Sequence, residues 1–377
     1  MKIGLVIYGR LDTLSGGYLY DRRMVAALAQ RGHVVTVISL PAVNYPLRLA
    51  LDWAGPVTAA RLPAGLDLLI QDELCHPSLI RWNTRRRGHR GPVVTLVHQV
   101  LCDEPRPPWQ NRFLRSVEKR YLDGVDAFVF NSRFTRETVW GLTAGDRPHV
   151  VAPPGGDRLE PRPTPKSIAL WAQDSGPLRL LFLGNIIPRK GLLPLIDALA
   201  GLPGDIWSLR AAGRLDMDRG YVRRVRNALR DRGLADRVRL LGPRKGPLLV
   251  DELARAQVLC MPYAYEGFGM ATLEAQGFGL PVIGCRAGAT RELVSDGLDG
   301  YLVDAGDHAA VQRAVAHLHH DRTALAKIGL AARRRFERQP TWAESMGRLA
   351  DFLENLATAC ATGSARAGRA GAGVTAE

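Results

Sequence analysis

Two glutamates in residues 265–274, Glu266 and Glu274, stand eight positions apart and bracket the glycines Gly267 and Gly269. The glycines let the backbone turn with its amide groups exposed, because glycine adopts conformations that other residues avoid. Exposed amides bind an anion such as phosphate, and the two carboxylates can accept hydrogen bonds from hydroxyl groups beside it. Phosphate-binding amides between two such acids suit a sugar nucleotide, which carries a diphosphate between two hydroxylated rings.

The elements on either side place these groups at the end of a strand and the start of a helix. The apolar run 256–262 predicts a buried strand, and a helix is predicted over residues 271–278. The N-terminus of such a helix attracts an anion through its N–H groups and its dipole. Each glutamate alone also fits a structural role, Glu274 as a helix residue that complements the dipole and Glu266 as a solvated loop acid.

The whole string, Glu-Gly-Phe-Gly followed by the second glutamate, resembles the two-glutamate motif of the retaining, GT-B-fold glycosyltransferases of family 4 (glycosyl transferases group 1). The resemblance implies that Glu274 holds the ribose hydroxyls and that Glu266 holds a donor-sugar hydroxyl close to the reacting carbon. It also implies that four consecutive backbone amides bind the donor diphosphate: Gly267, Phe268, Gly269 and Met270.

A second predicted strand-to-helix junction carries two cations, Arg189 and Lys190, just before the predicted helix 192–199. A cation and a helix dipole can act there on one anion. The family has Gly-Arg followed after a few residues by Lys-Gly, whereas this chain has the Lys-Gly pair but Asn185 in place of the arginine. The resemblance therefore assigns Lys190 to the leaving diphosphate. It also places Asn185 at the donor, with Arg189 as the substitute for the missing arginine.

The chain opens as a nucleotide-binding α/β domain does, with a strand, a loop, a helix and a second strand. The runs 2–8 and 33–40 predict the strands, and residues 18–30 have helical spacing. Gly16 and Gly17 fall in the loop, without the full Gly-x-Gly-x-x-Gly pattern of a dinucleotide site. The resemblance places this pair in the acceptor-side loop, and a plain tight loop is the alternative.

A histidine, His98, directly follows the predicted strand 92–97. Ligands bind at the carboxyl ends of strands in open parallel sheets, so this position suits function as well as it suits a packed, hydrogen-bonded histidine. In the family a histidine at an equivalent strand end contacts the donor. The resemblance implies that His98 meets the sugar from the domain opposite the nucleotide.

Residues 81–120 hold ten Arg or Lys against three acids, and within them Trp109, Phe113, Val117 and Tyr121 recur every fourth residue. Such a pattern can lie on an anionic membrane surface. It equally fits a helix that packs its aromatic side chains inward and keeps its arginines in water. The sequence leaves both interpretations open.

Length and composition limit the class of protein. The 377 residues are enough for two α/β domains with separate cores. The five cysteines form no Cys-x-x-Cys pair, which is typical of reduced cytosolic thiols. No run of eighteen apolar residues occurs, so neither a spanning helix nor a signal peptide is expected. The formal net charge of +14 favours partners that bear phosphate, which are nucleotides, nucleic acid or an anionic membrane.

The predicted fold class is α/β, and the resemblance implies GT-B, with two Rossmann-like domains facing across a cleft and a C-terminal helix crossing back to the first. The N-terminal, acceptor-binding domain is expected over residues 1–158 and the nucleotide-sugar domain over 178–340, joined by a proline-rich linker, 159–177. The crossing helix is expected over 341–357, and the small-residue tail 358–377 is expected to be disordered.

The function implied is transfer of a hexose from a nucleoside diphosphate sugar to a lipid-linked, polysaccharide or small-molecule acceptor, with retention of anomeric configuration. Glu266, Lys190 and His98 are the expected catalytic residues. No cofactor and no metal are expected, because two cations and a helix dipole already meet the phosphates. The protein is expected in the cytoplasm, in peripheral contact with the inner face of the membrane. Its expected role is in the synthesis of cell-envelope polysaccharide or glycolipid.

Three alternatives compete with this function. A GT-B-fold epimerase acting on a sugar nucleotide would need added acid/base carboxylates and would turn over the donor without an acceptor. A nucleic-acid binder fits the net charge of +14, but no recognised binding motif supports it, and nucleic acid is not an expected partner. A non-catalytic scaffold would have no reason to retain Glu266, Glu274 and Lys190.

Overall fold

The computed structural model describes residues 1–53, 63–85, 89, 91–143, 145–160, 162–263 and 265–363. The chain divides into two compact units. The first unit comprises Met1–Gly155 together with Pro340–Glu377, and the second unit comprises Gly156–Gln339. Within the described ranges, no helix is both long and apolar enough to span a bilayer.

Each unit is built on a six-stranded, all-parallel sheet. The central strands are continuous apolar runs because helices cover both faces of such a sheet. The strands, in chain order, are β1 (Lys2–Tyr8), β2 (Val34–Leu40), β3 (Leu68–Asp72), β4 (Val93–Val97), β5 (Ala127–Phe130), β6 (His149–Val151), β7 (Leu178–Leu183), β8 (Trp207–Ala212), β9 (Val238–Gly242), β10 (Val258–Met261), β11 (Val282–Cys285) and β12 (Gly300–Val303).

The strand order locates the place where a ligand can enter each sheet. The first sheet has the order β2-β1-β3-β4-β5-β6, and the second has the order β12-β11-β10-β7-β8-β9. The direction of winding reverses between β1 and β3 in the first sheet and between β7 and β10 in the second. At such a switch point the loops leave in opposite directions, and a crevice opens beyond the carboxyl ends of the two strands.

Helices connect the strands and pack on the sheets. Three 3-10 helices are also described, Glu73–Ser78, Leu101–Asp103 and Pro188–Lys190. The α-helices are α1 (Gly16–Gln30), α2 (Tyr45–Trp53), α3 (Ile80–Arg85), α4 (Pro108–Leu122), α5 (Arg133–Trp140), α6 (Pro165–Ala172), α7 (Leu192–Ala200), α8 (Arg219–Asp231), α9 (Pro247–Arg255), α10 (Met270–Gly277), α11 (Thr290–Leu293), α12 (His308–His320), α13 (Arg322–Phe336) and α14 (Trp342–Ala361).

The last helix, α14, belongs to the first unit although it follows the second in sequence. Thr341 and Glu344 form a capping box at its start, which fixes the helix N-terminus. The ring of Trp342 meets the edge of Tyr20 on α1, and Arg31 pairs with Asp351 at 2.6 Å. A C-terminal helix packing on the first domain is what the sequence predicted. It ends at Ala361, and residues 364–377 of the predicted disordered tail lie outside the described residues.

Two local expectations differ from the structure. Gly16 and Gly17 are not in a loop but form the first turn of α1, because the hydroxyl of Ser15 accepts a hydrogen bond from the amide of Tyr18 and starts the helix there. The turn after β1 is made instead by Gly9, whose φ is 65°. The predicted linker 159–177 also contains a helix, α6, which is capped by Thr164.

Candidate functional site in the second sheet

The predicted donor residues converge at the switch point of the second sheet. Lys190 lies in the loop that follows β7, and Glu266 lies in the loop that follows the neighbouring strand β10. The ammonium of Lys190 donates to Oε1 of Glu266, and both side chains are largely shielded from solvent. The structure thus brings together, over 76 positions of sequence, the two residues that the sequence predicted to act on one ligand.

Two helices begin close in sequence to Lys190 and Glu266, and each has a glycine at its N-cap, which has no side chain to cap the helix. The helices α7 and α10 follow Gly191 and Gly269, which adopt the left-handed conformation with φ of 72° and 99°. In α7 the hydroxyl of Tyr221 accepts from the backbone N–H of Leu193 at 2.9 Å, whereas no described side chain accepts from the first amides of α10. The first N–H groups of a helix have no partner within the helix, and its dipole is positive at that end. The two helix starts therefore suit a bound anion.

Two further predicted donor residues, Arg189 and Asn185, connect neighbouring loops of the second sheet. A guanidinium nitrogen of Arg189 donates to the backbone carbonyl of Tyr265 at 3.0 Å, so it ties the loop after β7 to the loop after β10. The amide oxygen of Asn185 accepts from the backbone N–H of Arg214 at 3.4 Å, next to the end of β8. Arg189 therefore lies at the predicted phosphate site, while Asn185 faces the neighbouring strand end.

Glu274 has a partner that the sequence analysis missed, Arg158. Both Nε and one terminal nitrogen of Arg158 donate to Oε1 of Glu274, the first at 3.0 Å. Burial raises the pKa of Glu274, and the charge and hydrogen bonds of Arg158 oppose that rise. The second carboxylate oxygen, Oε2, has no hydrogen-bond partner among the described residues. It is the atom that can accept a hydroxyl group of a ligand.

His98 lies in the first unit, directly after β4. Its Nε2 is hydrogen-bonded to Oδ1 of Asp21 on α1 at 2.9 Å. Its backbone carbonyl accepts from the side-chain amide of Asn131 at 2.9 Å, just past the end of β5. The carboxyl end of the first sheet therefore presents this histidine, and a buried aspartate that the sequence did not single out holds it.

The metal expectation remains a prediction. Two sets of side chains in the first unit have acid and ring atoms within 4.8 Å of one another, a spacing that could also hold a metal ion: Asp21, Asp72 and His98, and Glu73, His76 and Glu118. At least one ring nitrogen of each histidine is hydrogen-bonded within the protein, since Nε2 of His98 meets Asp21 and Nε2 of His76 meets the Tyr45 hydroxyl at 2.9 Å.

The basic and aromatic stretch of the first unit is divided between core and surface. On α4, Val117 and Tyr121 are buried, as in the inward-packing interpretation. Trp109 and Phe113 at the start of the same helix are 65% and 51% exposed, as in the membrane interpretation. Trp53 at the end of α2 is 75% exposed. Arg86, Arg87 and Arg90 of this stretch lie outside the described residues.

Comparison with protein families settles the class of the second unit. Residues 165–335 match the family model described as glycosyl transferases group 1. This segment is a group 1 glycosyltransferase domain. The match contains Lys190, Glu266 and Glu274, so the family predicted from the two-glutamate motif is confirmed.

Sequence similarity to a curated relative extends beyond the residues that match the family model. A GDP-mannose-dependent α-(1-6)-phosphatidylinositol monomannoside mannosyltransferase from Mycobacterium tuberculosis is 31% identical over 251 residues, which is 63% of this chain and 64% of that protein. The alignment thus spans just under two thirds of that relative's length.

Two solved structures show the fold. Sucrose-phosphate synthase from Thermosynechococcus elongatus matches with a TM-score of 0.78 and 20% identity, over 95% of this chain and 99% of that one. HepE from Anabaena, solved in complex with UDP-glucose, matches with a TM-score of 0.70 and 19% identity, over 94% and 100%. At these identities the likeness shows the fold alone, and the GT-B fold class predicted from the sequence is confirmed.

Proposed function

We propose that this protein transfers a sugar from a nucleoside diphosphate sugar to a hydroxyl group of an acceptor, with retention of anomeric configuration. The observation that carries the proposal is the contact of Lys190 with Glu266 at the switch point of the second sheet, next to two helices that each begin after a glycine N-cap. A positive centre, two helix dipoles and a carboxylate at one crevice suit a diphosphate that carries a sugar.

The hard step in this reaction is the departure of the nucleoside diphosphate, on which negative charge develops. The ammonium of Lys190 and the amides at the start of α10 stabilise that charge, since they are held in place before the reaction begins. Without a ligand, Glu266 balances the charge of Lys190. The arriving diphosphate takes over that role, which leaves Glu266 available for a hydroxyl group of the sugar.

The remaining groups bind the rest of the donor. Glu274, fixed by Arg158, holds the ribose hydroxyls through Oε2. The family resemblance assigns His98 to the sugar, and this assignment is part of the proposal. No side chain is assigned as a nucleophile, because a same-face reaction, in which the leaving phosphate takes the proton of the acceptor hydroxyl, gives retention without one.

The relatives favour transfer over the epimerase alternative. The M. tuberculosis relative is named as a mannosyltransferase that uses GDP-mannose, and HepE was solved with UDP-glucose. Both names support a nucleoside diphosphate sugar as the donor. The mannosyltransferase is also named for an inositol lipid, which supports a lipid-linked acceptor in cell-envelope glycolipid synthesis.

The test is a thermal-shift screen of nucleotide sugars, because a ligand that binds only the folded protein raises its melting temperature. We expect a GDP- or UDP-sugar to stabilise the protein. Incubation of that donor with inositol phospholipid, polysaccharide and small polyol acceptors should then yield a product with the anomeric configuration of the donor. Donor turnover without any acceptor that yields an epimerised sugar nucleotide would overturn the proposal.

We expect Arg189 to bind the phosphates of the donor together with Lys190. Replacing it (Arg189→Ala) should weaken binding of both the nucleoside diphosphate and the full donor about tenfold, the scale of one charge-assisted hydrogen bond. Calorimetry of both ligands is the measurement, and Arg226→Ala on the exposed face of α8 is the matched control. Unchanged affinity for both ligands would restrict Arg189 to tying the two loops together.

We further propose that the first unit contacts an anionic membrane through α4. Trp109 and Phe113 stand exposed on this helix among the exposed cations Arg112, Arg115 and Lys119. Aromatic side chains enter the headgroup region of a bilayer, and each cation near an anionic leaflet contributes about 1 kcal/mol. Such contact would bring a lipid-linked acceptor to the protein.

Changing those three cations to serine should weaken binding to anionic liposomes on the order of a hundredfold, from about 1 kcal/mol each. Co-sedimentation at low and high salt is the measurement. The control changes three exposed arginines of α8 to serine instead, Arg223, Arg226 and Arg230. Equal recovery of the protein with neutral and anionic liposomes would contradict membrane contact.

A further inference from the structure

The carboxylate that holds His98 is buried, and only one of its two oxygens is hydrogen-bonded within the described residues. Asp21 is completely buried, and its Oδ1 lies 2.9 Å from Nε2 of His98. Its other oxygen, Oδ2, has no hydrogen-bond partner among the described residues. Because a carboxylate only accepts, Nε2 of His98 carries the proton of this bond. The other ring nitrogen, Nδ1, has no partner within the described ranges, and the side chain is 10% exposed.

One face of the helix α1 packs against the ring of His98. Tyr20 and Asp21 follow Gly17 by three and four residues, so these three positions lie on the same face of the helix. A Cβ atom on Gly17 would lie 3.2 Å from Cδ2 of His98, so the ring packs directly on the start of the helix. The ring of Tyr20 meets it edge-on, with 5.3 Å between the centroids. The ring is therefore fixed in both position and orientation.

A second buried acid faces the same ring from β3. Asp72 is 4% exposed, and its carboxylate lies within 4.8 Å of the acid and ring atoms of Asp21 and His98. Burial raises the pKa of Asp72 to about 6, so it is mainly ionised at neutral pH. Two carboxylates buried beside one imidazole leave an excess of negative charge in a poorly solvated place. A proton on the imidazole reduces that excess.

The balance of effects on the histidine favours the charged ring. Burial by itself lowers the pKa of His98. The charge and hydrogen bond of Asp21 oppose it, with further contributions from Asp72 and from Glu73, the next residue along the chain. The net result is a raised pKa for His98.

We propose that Asp21 is a positioning residue that, together with Asp72, keeps His98 as an imidazolium and fixes its Nδ1–H as a hydrogen-bond donor to a sugar or phosphate oxygen of a ligand at the carboxyl end of the first sheet. A neutral ring with its proton on Nε2 would instead present Nδ1 as an acceptor. The protonated ring offers both a donor and a positive charge, which suits an oxygen of the donor sugar or of its diphosphate. This inference rests on the proposed function for the identity of that ligand, but the charge of the ring does not depend on it.

The charge is tested on the protein without ligand. Nitrogen-15 NMR of the imidazole rings, with the signal of His98 assigned by its loss in His98→Gln, follows both ring nitrogens during a pH titration. We expect His98 to be doubly protonated at neutral pH and to titrate above the ordinary range of histidine. In Asp21→Asn, which keeps an acceptor of the same shape but removes the charge, the titration should move to lower pH. Asp123→Asn, an exposed acid at the end of α4, should leave it unchanged.

Activity gives the second readout once a donor is known. Because Asp21→Asn removes the charge that favours the imidazolium, the ring loses its charged hydrogen bond to the ligand, and kcat should fall roughly tenfold to a hundredfold. Because the charged ring is the active form, kcat should fall as pH rises through the titration of His98. That fall should begin at lower pH in Asp21→Asn.

Three results separate the inference from the proposed function. A normal histidine titration in the wild-type protein would overturn the inference even if sugar transfer is found. A titration in the wild type that changes when EDTA is added would overturn it too, because the three side chains would then hold a metal ion. If no nucleotide sugar is used by the protein, the proposed function fails, while the NMR result still decides the charge of the ring.

Discussion

Replacing Lys190 with alanine is expected to lower turnover on the order of a hundredfold. The ammonium lies at the switch point of the second sheet, between two helix N-termini, and a preorganised charge aimed at a leaving group contributes on this scale. The substitution also leaves Glu266 without its cation, so the site becomes more negative and repels the diphosphate. Steady-state kinetics with the donor found in the thermal-shift screen is the measurement.

The control for Lys190→Ala is Lys245→Ala. Lys245 is exposed, lies in the same unit and carries the same charge, so its loss changes the net charge equally. We expect turnover near that of the wild type for this control. If Lys190→Ala keeps turnover within a factor of about two of the wild type, the diphosphate does not lie where we place it.

Replacing Gly213 with alanine is expected both to destabilise the second unit and to distort the site. A Cβ atom there would lie 1.9 Å from the carbonyl oxygen of Gly184, at the ends of the paired strands β8 and β7. Both neighbours are backbone, so the strand ends must move apart, and the loop that carries Lys190 moves with them. Overpacking of this kind costs typically about 1–3 kcal/mol. We expect the upper end of that range, and with it a lower melting temperature by about 6–12 °C.

The matched control is Gly220→Ala in the first turn of α8. The nearest atom to a Cβ there is Oδ1 of Asp218 at 3.4 Å, which leaves room for a methyl group. Alanine is favoured over glycine in a helix by about 1 kcal/mol, so this variant should melt at the wild-type temperature or above it. Equal melting temperatures for Gly213→Ala and the wild type would show that the strand ends are not locked together.

The central site could be predicted from the sequence because its signals are local. Lys190 and Glu266 each follow an apolar run and precede a helical one, with a glycine at the turn. Two strands followed by helices must place such loops at the same edge of a parallel sheet. The pairing of β7 with β10, which brings the two residues into contact, is a long-range fact. The family resemblance implied that the two residues act on one donor, but the strand pairing itself was not predicted.

The partners of the site residues could not be predicted in the same way. Asp21 is one polar residue on an otherwise ordinary helix, and Arg158 is one arginine before a proline-rich segment. Nothing local marks either as buried or paired, because the burial comes from strands distant in sequence. Ser15, which starts α1, is a cap signal that could have corrected the placement of Gly16 and Gly17. Pro165 after Thr164 is likewise a helix-start signal, although it lies among the prolines that predict a linker.

The most direct test of the account is calorimetric titration of GDP and UDP into the wild type, Lys190→Ala and Lys245→Ala. We expect at least one nucleotide to bind the wild type and Lys245→Ala with equal affinity, and to bind Lys190→Ala at least about tenfold more weakly, because a charge-assisted contact is lost. Equal affinity of Lys190→Ala and the wild type, or no binding of either nucleotide to the wild type, would contradict a nucleoside diphosphate site at the end of β7 and β10.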